Sequence, residues 1–291
     1  MLYVVKGLLR GSCLLLPALI AVGCVSVPGE PYVLSLREGT ERIESAVGCG
    51  MAQSRDFLLP DGAGEGINPG GFTLFNWNMM KGARQGWEDD FVHLAGDADL
   101  LTIQEAYLTE TLRDVLQDGR YQWDLTAAFL NWDRETGVLT GSRRSAAYSC
   151  TFRFPEPLVG LPKTVLASFY HLRDTDQLLL VANVHLINFT VGTEEYRDQL
   201  RELEELLSSH EGPLVLLGDF NTWSAARMEA VAGATERMAL TKVRFTQENL
   251  STFLGRSVDH VYYRGLEPVD ARAVQVSTSD HNPLLVTFRV P

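Results

Sequence analysis

Leu214-Val215-Leu216-Leu217-Gly218-Asp219-Phe220-Asn221 packs four consecutive aliphatic residues, a glycine and then two polar side chains separated by one aromatic. Such a run, too short for a helix and bounded by Gly and Asp, reads as a buried strand whose carboxyl end delivers Asp219 and Asn221. An Asp-x-Asn after a strand is ordinarily a turn, because both side chains bond nearby backbone. The same punctuation recurs elsewhere. Phe75-Asn76-Trp77-Asn78 closes one apolar run, Leu101-Thr102-Ile103-Gln104-Glu105 a second, and Val184-His185 a third. Asp259-His260 and Asp280-His281 precede two more strands. Strand ends are where α/β folds gather their sites.

Working outward, candidate strands are Phe72–Asn76, Asp99–Gln104, Ala146–Arg153, Thr164–His171, Gln177–His185, Leu214–Gly218, His260–Tyr263, Ala273–Ser277 and Leu284–Val290. Helices are expected over Trp87–Ala95 and Thr109–Gln117, from Thr193 to Gly212, and from Ser224 as cap to Val231. Tyr196, Leu200, Leu203 and Leu207 form the apolar stripe of the third. One mixed α/β domain over residues 71–291 accounts for this alternation. Residues 24–70, rich in Gly, Pro and polar residues, read as a mostly irregular lead-in.

The chain has 291 residues, 45% hydrophobic and 21% charged, which suits a large core and excludes a disordered or collagen-like chain. Its net charge of −12 argues against holding nucleic acid by charge alone. Four cysteines without a CxxC pair exclude a zinc ribbon. Lys6 and Arg10, the apolar run Leu14–Val22 and then Gly23-Cys24 follow the order of a secretory signal, residues 1–23. Leu19–Cys24 resembles a bacterial lipobox, which would lipidate Cys24. The expected protein is therefore exported, periplasmic or anchored to the outer membrane, and monomeric. After export Cys49 and Cys150 keep free side chains, and an oxidising compartment allows them to pair; two separate buried thiols are the alternative.

Each polar residue at a strand end has a bland explanation singly. Together, Glu105, Asp219 and Asp280 offer hard oxygen ligands, Asn78 and Asn221 two amides, and His185 and His281 an acid–base pair. This is a set for Mg²⁺ or Mn²⁺ and not for a soft-ligand zinc site.

The order FNWN, LLTIQEA, NVHL, LLGDFNTW, VDHVYY and STSDHNPLLV, from Phe72 to Val290, resembles the metal-dependent endonuclease/exonuclease/phosphatase (DNase I-like) superfamily, in particular a bacterial branch without an assigned substrate. The resemblance implies two mixed β-sheets packed face to face with helices outside, a four-layer α/β sandwich. It implies that Asn78 and Glu105 bind the metal, with Asp280 a further metal or water contact. It implies that Asp219 and Asn221 bind or orient nucleophile and phosphate, that Asp259 orients the catalytic His281, and that His185 contacts the phosphoryl oxygens or protonates the leaving group. Whether His281 or Asp219 takes the water proton stays open. His260, alternating away from Asp259, reads as structural.

Lys163 and Arg143 precede strands near the expected site, where they would meet a second phosphate or a polyanion; solvated surface cations are the alternative. Asn131–Gly141 and Arg244–Arg256 are expected to be loops that set specificity. The implied activity is hydrolysis of a phosphodiester by an activated water, on nucleic acid or on an envelope phospholipid or inositol phosphate. A non-catalytic envelope binding protein on the same fold is the competing reading. A serine hydrolase would need a G-x-S-x-G elbow, which the chain lacks.

Overall fold

The computed structural model describes residues 25–44, 66–245 and 249–291. In chain order the strands are β1 (Val25–Ser26), β2 (Val33–Arg37), β3 (Thr40–Glu44), β4 (Phe72–Asn78), β5 (Leu100–Tyr107), β6 (Gln122–Asn131), β7 (Arg134–Ser142), β8 (Tyr148–Phe154), β9 (Lys163–His171), β10 (Leu178–His185), β11 (Leu214–Asp219), β12 (Thr241–Lys242), β13 (Thr252–Phe253), β14 (Arg256–Ser257), β15 (Asp259–Arg264), β16 (Glu267–Ala273) and β17 (Leu284–Arg289). The helices are α1 (Trp87–Ala95), α2 (Glu110–Asp118), α3 (Glu194–Ser208) and α4 (Ala225–Arg237).

One sheet runs β16-β17-β4-β5-β7-β6-β2-β3, with β1 added on β6. The other runs β12-β15-β11-β10-β9-β8. Each sheet is mixed: β4 and β5 are parallel, as are β10 and β11, and their other neighbours are antiparallel. Period-two alternation sorts their side chains. Phe72, Leu74, Leu100, Leu179, Val181, Val215 and Leu217 fill the space between the sheets. Phe75, Trp77, Leu101 and Ile103 point out toward Trp87 and Phe91 of α1 and Leu112 and Leu116 of α2. Leu180, Ala182, Leu214 and Leu216 point out toward Tyr196, Leu200 and Leu203 of α3 and Val231 and Ala234 of α4. The result is the four-layer α/β sandwich expected from the motif order.

Several expectations need correction. The lead-in is not mostly irregular where it is described. β2 and β3 form a hairpin whose turn uses Glu38 (φ 49°) and Gly39 (φ 76°), and Val33 is wholly buried. Ser35 donates to Asp124 of β6 at 2.6 Å and Arg37 pairs with the same carboxylate, so a buried acid fastens the hairpin to the sheet. The polar, turn-rich composition hid a strand pair whose anchor is ionic. Asn131–Gly141 is no loop: it is mainly β7, buried from Thr136 onward and disguised by its Thr and Gly content. β6, with the sequence QWDLTAAFLN, was not among the expected strands either. The strand expected at Ala273–Ser277 ends at Ala273; β16 lies before it, an exposed edge strand whose sequence EPVDARA lacks an apolar signal. Ser224 does cap α4, accepting from the Arg227 N–H, but the helix runs to Arg237. Thr193 stands at the N-cap of α3 without a capping hydrogen bond. The segments 1–23, Cys24 and Cys49 lie outside the described residues. Cys150 is buried and disulfide-bonded. Among the described residues no helix is long and apolar enough to cross a membrane.

Candidate active site

The inter-sheet space changes character along the strands. Beyond Leu74, Leu100, Val181 and Val215 the same faces carry Asn76, Asn78, Thr102, Gln104, Asn183, His185 and Asp219, all buried. Because β4 and β5 are parallel, as are β10 and β11, these polar residues gather at one end. A cross-sheet network forms the floor. Gln104 Nε2 donates to Asn76 Oδ1 at 3.0 Å and to Asn183 Oδ1 at 2.6 Å, and Asn183 Nδ2 donates to the Leu139 carbonyl at 2.8 Å. Hydrogen bonds in so buried a setting fix the distance and register between the two sheets, although Gln104 Oε1 itself has no partner among the described residues. Neither Asn183 nor Gln104 was singled out from sequence, since a polar residue within an apolar strand carries no sign of its partner.

Above that floor stands Asp219. Its carboxylate accepts from Asn78 Nδ2 at 3.1 Å and from the Asn221 N–H at 2.9 Å. His185 Nε2 lies 3.4 Å and His281 Nε2 3.9 Å from Asp219 Oδ2. His281 Nδ1 bonds Asp259 Oδ2 at 2.8 Å. Asp259 arrives there because β15 pairs with β11 in a register that sets it opposite Asp219. The two histidines therefore face one pocket. Ser279 fixes the other approach: its hydroxyl donates to the Asn78 carbonyl at 2.7 Å and accepts from the His281 N–H at 3.1 Å. His260, on the opposite face, bonds Thr222 Oγ1 at 2.7 Å and packs on Phe220. Burial, with a lesser push from Lys242, drives its pKa down to about 3, so it stays neutral.

Glu105 reaches the pocket by a backbone irregularity. Regular alternation would send it outward with Leu101 and Ile103. Instead the register with β7 slips between Ile103 and Ala106, and Glu105 adopts φ 52°. Such a bulge re-aims a side chain at modest strain. The carboxylate meets the ammonium of Lys81, a residue in the turn after β4 with φ 61° that the sequence reading did not name. Lys163, at the start of β9, places Nζ 2.8 Å from His185 Nε2. A cavity of about 190 Å³ opens between Lys81, Glu105, Lys163, His185, Val159 and Phe189.

Two expected residues fall elsewhere. Arg143 lies at the opposite end of β7, over the Tyr121 ring and bonded to the Gly96 carbonyl, lining a separate cleft between α1 and α2. β7 runs antiparallel to β5, so the end of β7 lies beside the start of β5, far from Glu105. That cleft is larger, about 520 Å³, but it holds no carboxylate–imidazole cluster among the described residues. Asp280 is exposed at the rim, its carboxylate 3.4 Å from Ser279 Oγ, with no bond to Glu105 or Asn78. Asn221, at φ 50°, commits one amide N–H to the Leu186 carbonyl at 2.9 Å. Its own carbonyl accepts from Arg227, a fully buried guanidinium stacked between Tyr196 and Trp223 that sequence reading missed on a helix face.

Electrostatics divide the two histidines. For His281, burial acts to lower the pKa, but the charge and hydrogen bond of Asp259, then Asp219 and Asp280, outweigh it and raise the value to about 10. His185 is driven well down by burial, then by Lys163 and His281. Burial raises the Asp219 carboxyl above the ordinary range, and His281 opposes that rise. Asp259→Asn removes the largest charge holding the proton on His281 and leaves desolvation in place. The titration of the His281 imidazole, followed by NMR, should move roughly 1–3 pH units lower. An unchanged His281 titration would exclude the ion pair.

For a divalent cation, the donors are all hard oxygen or imidazole nitrogen. Asp219, Asp259 and His281 bring ligand atoms within 4.8 Å of one another. Asp259 Oδ1 is buried without a hydrogen-bond partner, and Glu105 already draws a cation, the Lys81 ammonium. These residues fit such an ion.

The Endonuclease/Exonuclease/phosphatase family model matches residues 75–281, from Phe75 of β4 to His281 itself. The chain belongs to this family. A UPF0294 protein of Vibrio campbellii is 36% identical over 277 residues, 93% of this chain and 94% of the relative. Another, from Klebsiella pneumoniae, is 35% identical over 247 residues, 81% and 93% of the two chains. The human Nocturnin catalytic domain with bound sulfate anion superposes with a TM-score of 0.59 at 17% identity, over 78% of this chain and 96% of that one. ANGEL2, a 2′,3′-cyclic phosphatase, gives 0.53 at 16% identity, over 78% and 97%. These structures share the fold of this family member. Family members are phosphoric ester hydrolases, and a phosphoesterase-type hydrolase is what the family and the site together support.

One family motif carries a steric demand of its own. Gly218, before Asp219, has φ +133°, and a Cβ there would lie 2.1 Å from the Val184 carbonyl oxygen. Gly218→Ala should therefore destabilise the fold by about 2 kcal/mol or more, measured by denaturant unfolding. Wild-type stability in that variant would refute the close approach.

Proposed function

We propose that the chain is an exported, divalent-metal-dependent phosphodiesterase that cleaves its ester by in-line attack of water. The convergence of Asn78, Asp219, His185 and the His281–Asp259 pair on one pocket beside Glu105 carries this reading. Glu105 and Asn78 would hold Mg²⁺ or Mn²⁺. The ion supplies Lewis-acid polarisation of the phosphoryl oxygen and neutralises growing charge. Asp219, with its raised pKa and fixed by two donors, is suited to take the water proton. His281, held protonated by Asp259, is suited to donate to the phosphoryl or leaving oxygen. Lys163 and the second N–H of Asn221 offer further donors. Two mobile functions are thus separated, one base and one acid, as the neighbouring environments push their pKa values apart.

The apolar N-terminal run and Cys24 support export and attachment to the envelope by a lipid anchor. The test is hydrolysis of bis(4-nitrophenyl) phosphate by the purified protein. EDTA should abolish it and Mg²⁺ or Mn²⁺ restore it. Full activity in EDTA would defeat the metal-dependent reading, and no activity with any divalent ion would favour a binding protein on this fold.

A further inference from the structure

We propose that the mouth of this site docks on a phospholipid bilayer and that the ester it cleaves is the headgroup phosphodiester of a phospholipid. The proposal rests on the phosphodiesterase reading above and names its substrate class. Large apolar side chains left exposed among the described residues concentrate at the site end of the molecule. Trp132 is 70% exposed, Leu158 63%, Val159 51%, Phe189 51%, Val191 80% and Leu254 73%.

The fold brings these residues together. Trp132 tips the β6–β7 hairpin, where Asn131 pairs with Arg134. The Leu108 N–H bonds the Glu135 carbonyl at 2.9 Å, so the tip projects just past Glu105. Leu158 and Val159 lie in the loop before Lys163, and Phe189 and Val191 in the loop after His185. Buried Glu156 ties those two loops together by accepting from the Asn188 and Phe189 N–H groups. Leu254 tips the β13–β14 hairpin on the other side, which Thr222 holds by donating to the Ser257 carbonyl at 2.6 Å. Apolar residues rimming a polar catalytic pocket are arranged as an interfacial surface, with Trp the side chain best suited to the headgroup boundary.

The chain's own path selects a membrane as the occupant. Val25 pairs with Asn131 and Ser26 with Leu130, so β1 lies against the base of the Trp132 hairpin. Arg153 fastens the next turn through the Pro28 and Gly29 carbonyls at 2.6 and 2.9 Å. The segment preceding Val25, with its apolar run and Cys24, therefore joins the folded body at the rim of the site. An anchor attached there turns the mouth to the bilayer. The acidic net charge of −12 favours a zwitterionic surface over an anionic one. The reaction consumes one water and breaks one P–O ester bond, leaving a phosphomonoester and an alcohol.

The test uses the full chain reconstituted through its N-terminal segment into vesicles of phosphatidylethanolamine and phosphatidylcholine. Phospholipids brominated on the acyl chain quench tryptophan at depth, and the difference from Trp132→Phe isolates Trp132. Expected are quenching of Trp132 and release of phospholipid cleavage products. The double variant Trp132→Asp, Leu158→Asp should cleave vesicle lipid about tenfold more slowly, while hydrolysis of soluble bis(4-nitrophenyl) phosphate stays unchanged. Unquenched Trp132 in vesicle-bound protein overturns the docking. Quenching with soluble ester hydrolysis but no lipid cleavage overturns the substrate class. Absence of soluble ester hydrolysis overturns the phosphodiesterase reading separately.

Discussion

Asp219→Asn and His281→Asn will each lower hydrolysis of a phosphodiester by on the order of 10²–10⁴-fold while the protein remains folded. Asp219 is the point on which the site converges: two donors fix it, and two imidazoles lie within 4 Å of its Oδ2. The amide of asparagine keeps the shape and removes the proton acceptor. His281→Asn removes the group that Asp259 keeps charged. The sign of the pH dependence follows from the environments. Asp219 must be ionised to accept a proton, and burial raises its pKa to about 6, so the rate should climb as pH rises through that region. His281 must be protonated to donate, and its pKa is raised to about 10, so the rate should fall only in alkali. The rate of the wild-type protein against pH checks this. An acid limb that survives in Asp219→Asn, or full activity in that variant, would remove Asp219 from the chemistry, and full activity in His281→Asn would remove His281. With His281 charged at neutral pH, the histidine is the poorer candidate for the base and the carboxylate the better one.

Glu105→Ala should abolish metal-supported hydrolysis, by about 10³-fold or more, without loss of cooperative unfolding. Glu105 is the carboxylate that the β5 bulge turns into the pocket, and Lys81 is the cation that now pairs with it. The ammonium and a divalent ion would compete for one carboxylate. Lys81→Met should therefore tighten Mn²⁺ binding, while Glu105→Ala should weaken it by at least tenfold; each change is about 1.4 kcal/mol or more. Calorimetric titration of Mn²⁺ into the three proteins reads this without recourse to activity. Equal affinity in wild type and Glu105→Ala would move the metal to Asp219, Asp259 and His281, whose ligand atoms lie within 4.8 Å of one another.

Much of this was readable from the chain alone. Apolar runs ending in Asn78, Glu105, His185 and Asp219 set those residues at strand ends, because strand periodicity and turn chemistry are local properties. The order of the motifs then implied the two-sheet sandwich. Local patterning was enough for α1, α2 and the apolar stripe of α3 as well, where spacing alone determines which face is buried. What the tertiary structure decided depends on pairs of residues far apart in the chain. Arg143 and Lys163 look alike as cations before or after a strand, yet strand direction puts one at each end of the molecule. β2 and β3 are held by Asp124, and Asn183 meets Gln104 across the gap between sheets, so neither has a sequence signature of its own. Glu105 faces the pocket only because the ladder slips beside it, and Lys81 meets it only because a left-handed turn carries it there. Sequence determined which side chains were present and which strand ends bore them; register, bulge and strand direction determined which of them meet, because those are set by pairing with distant backbone.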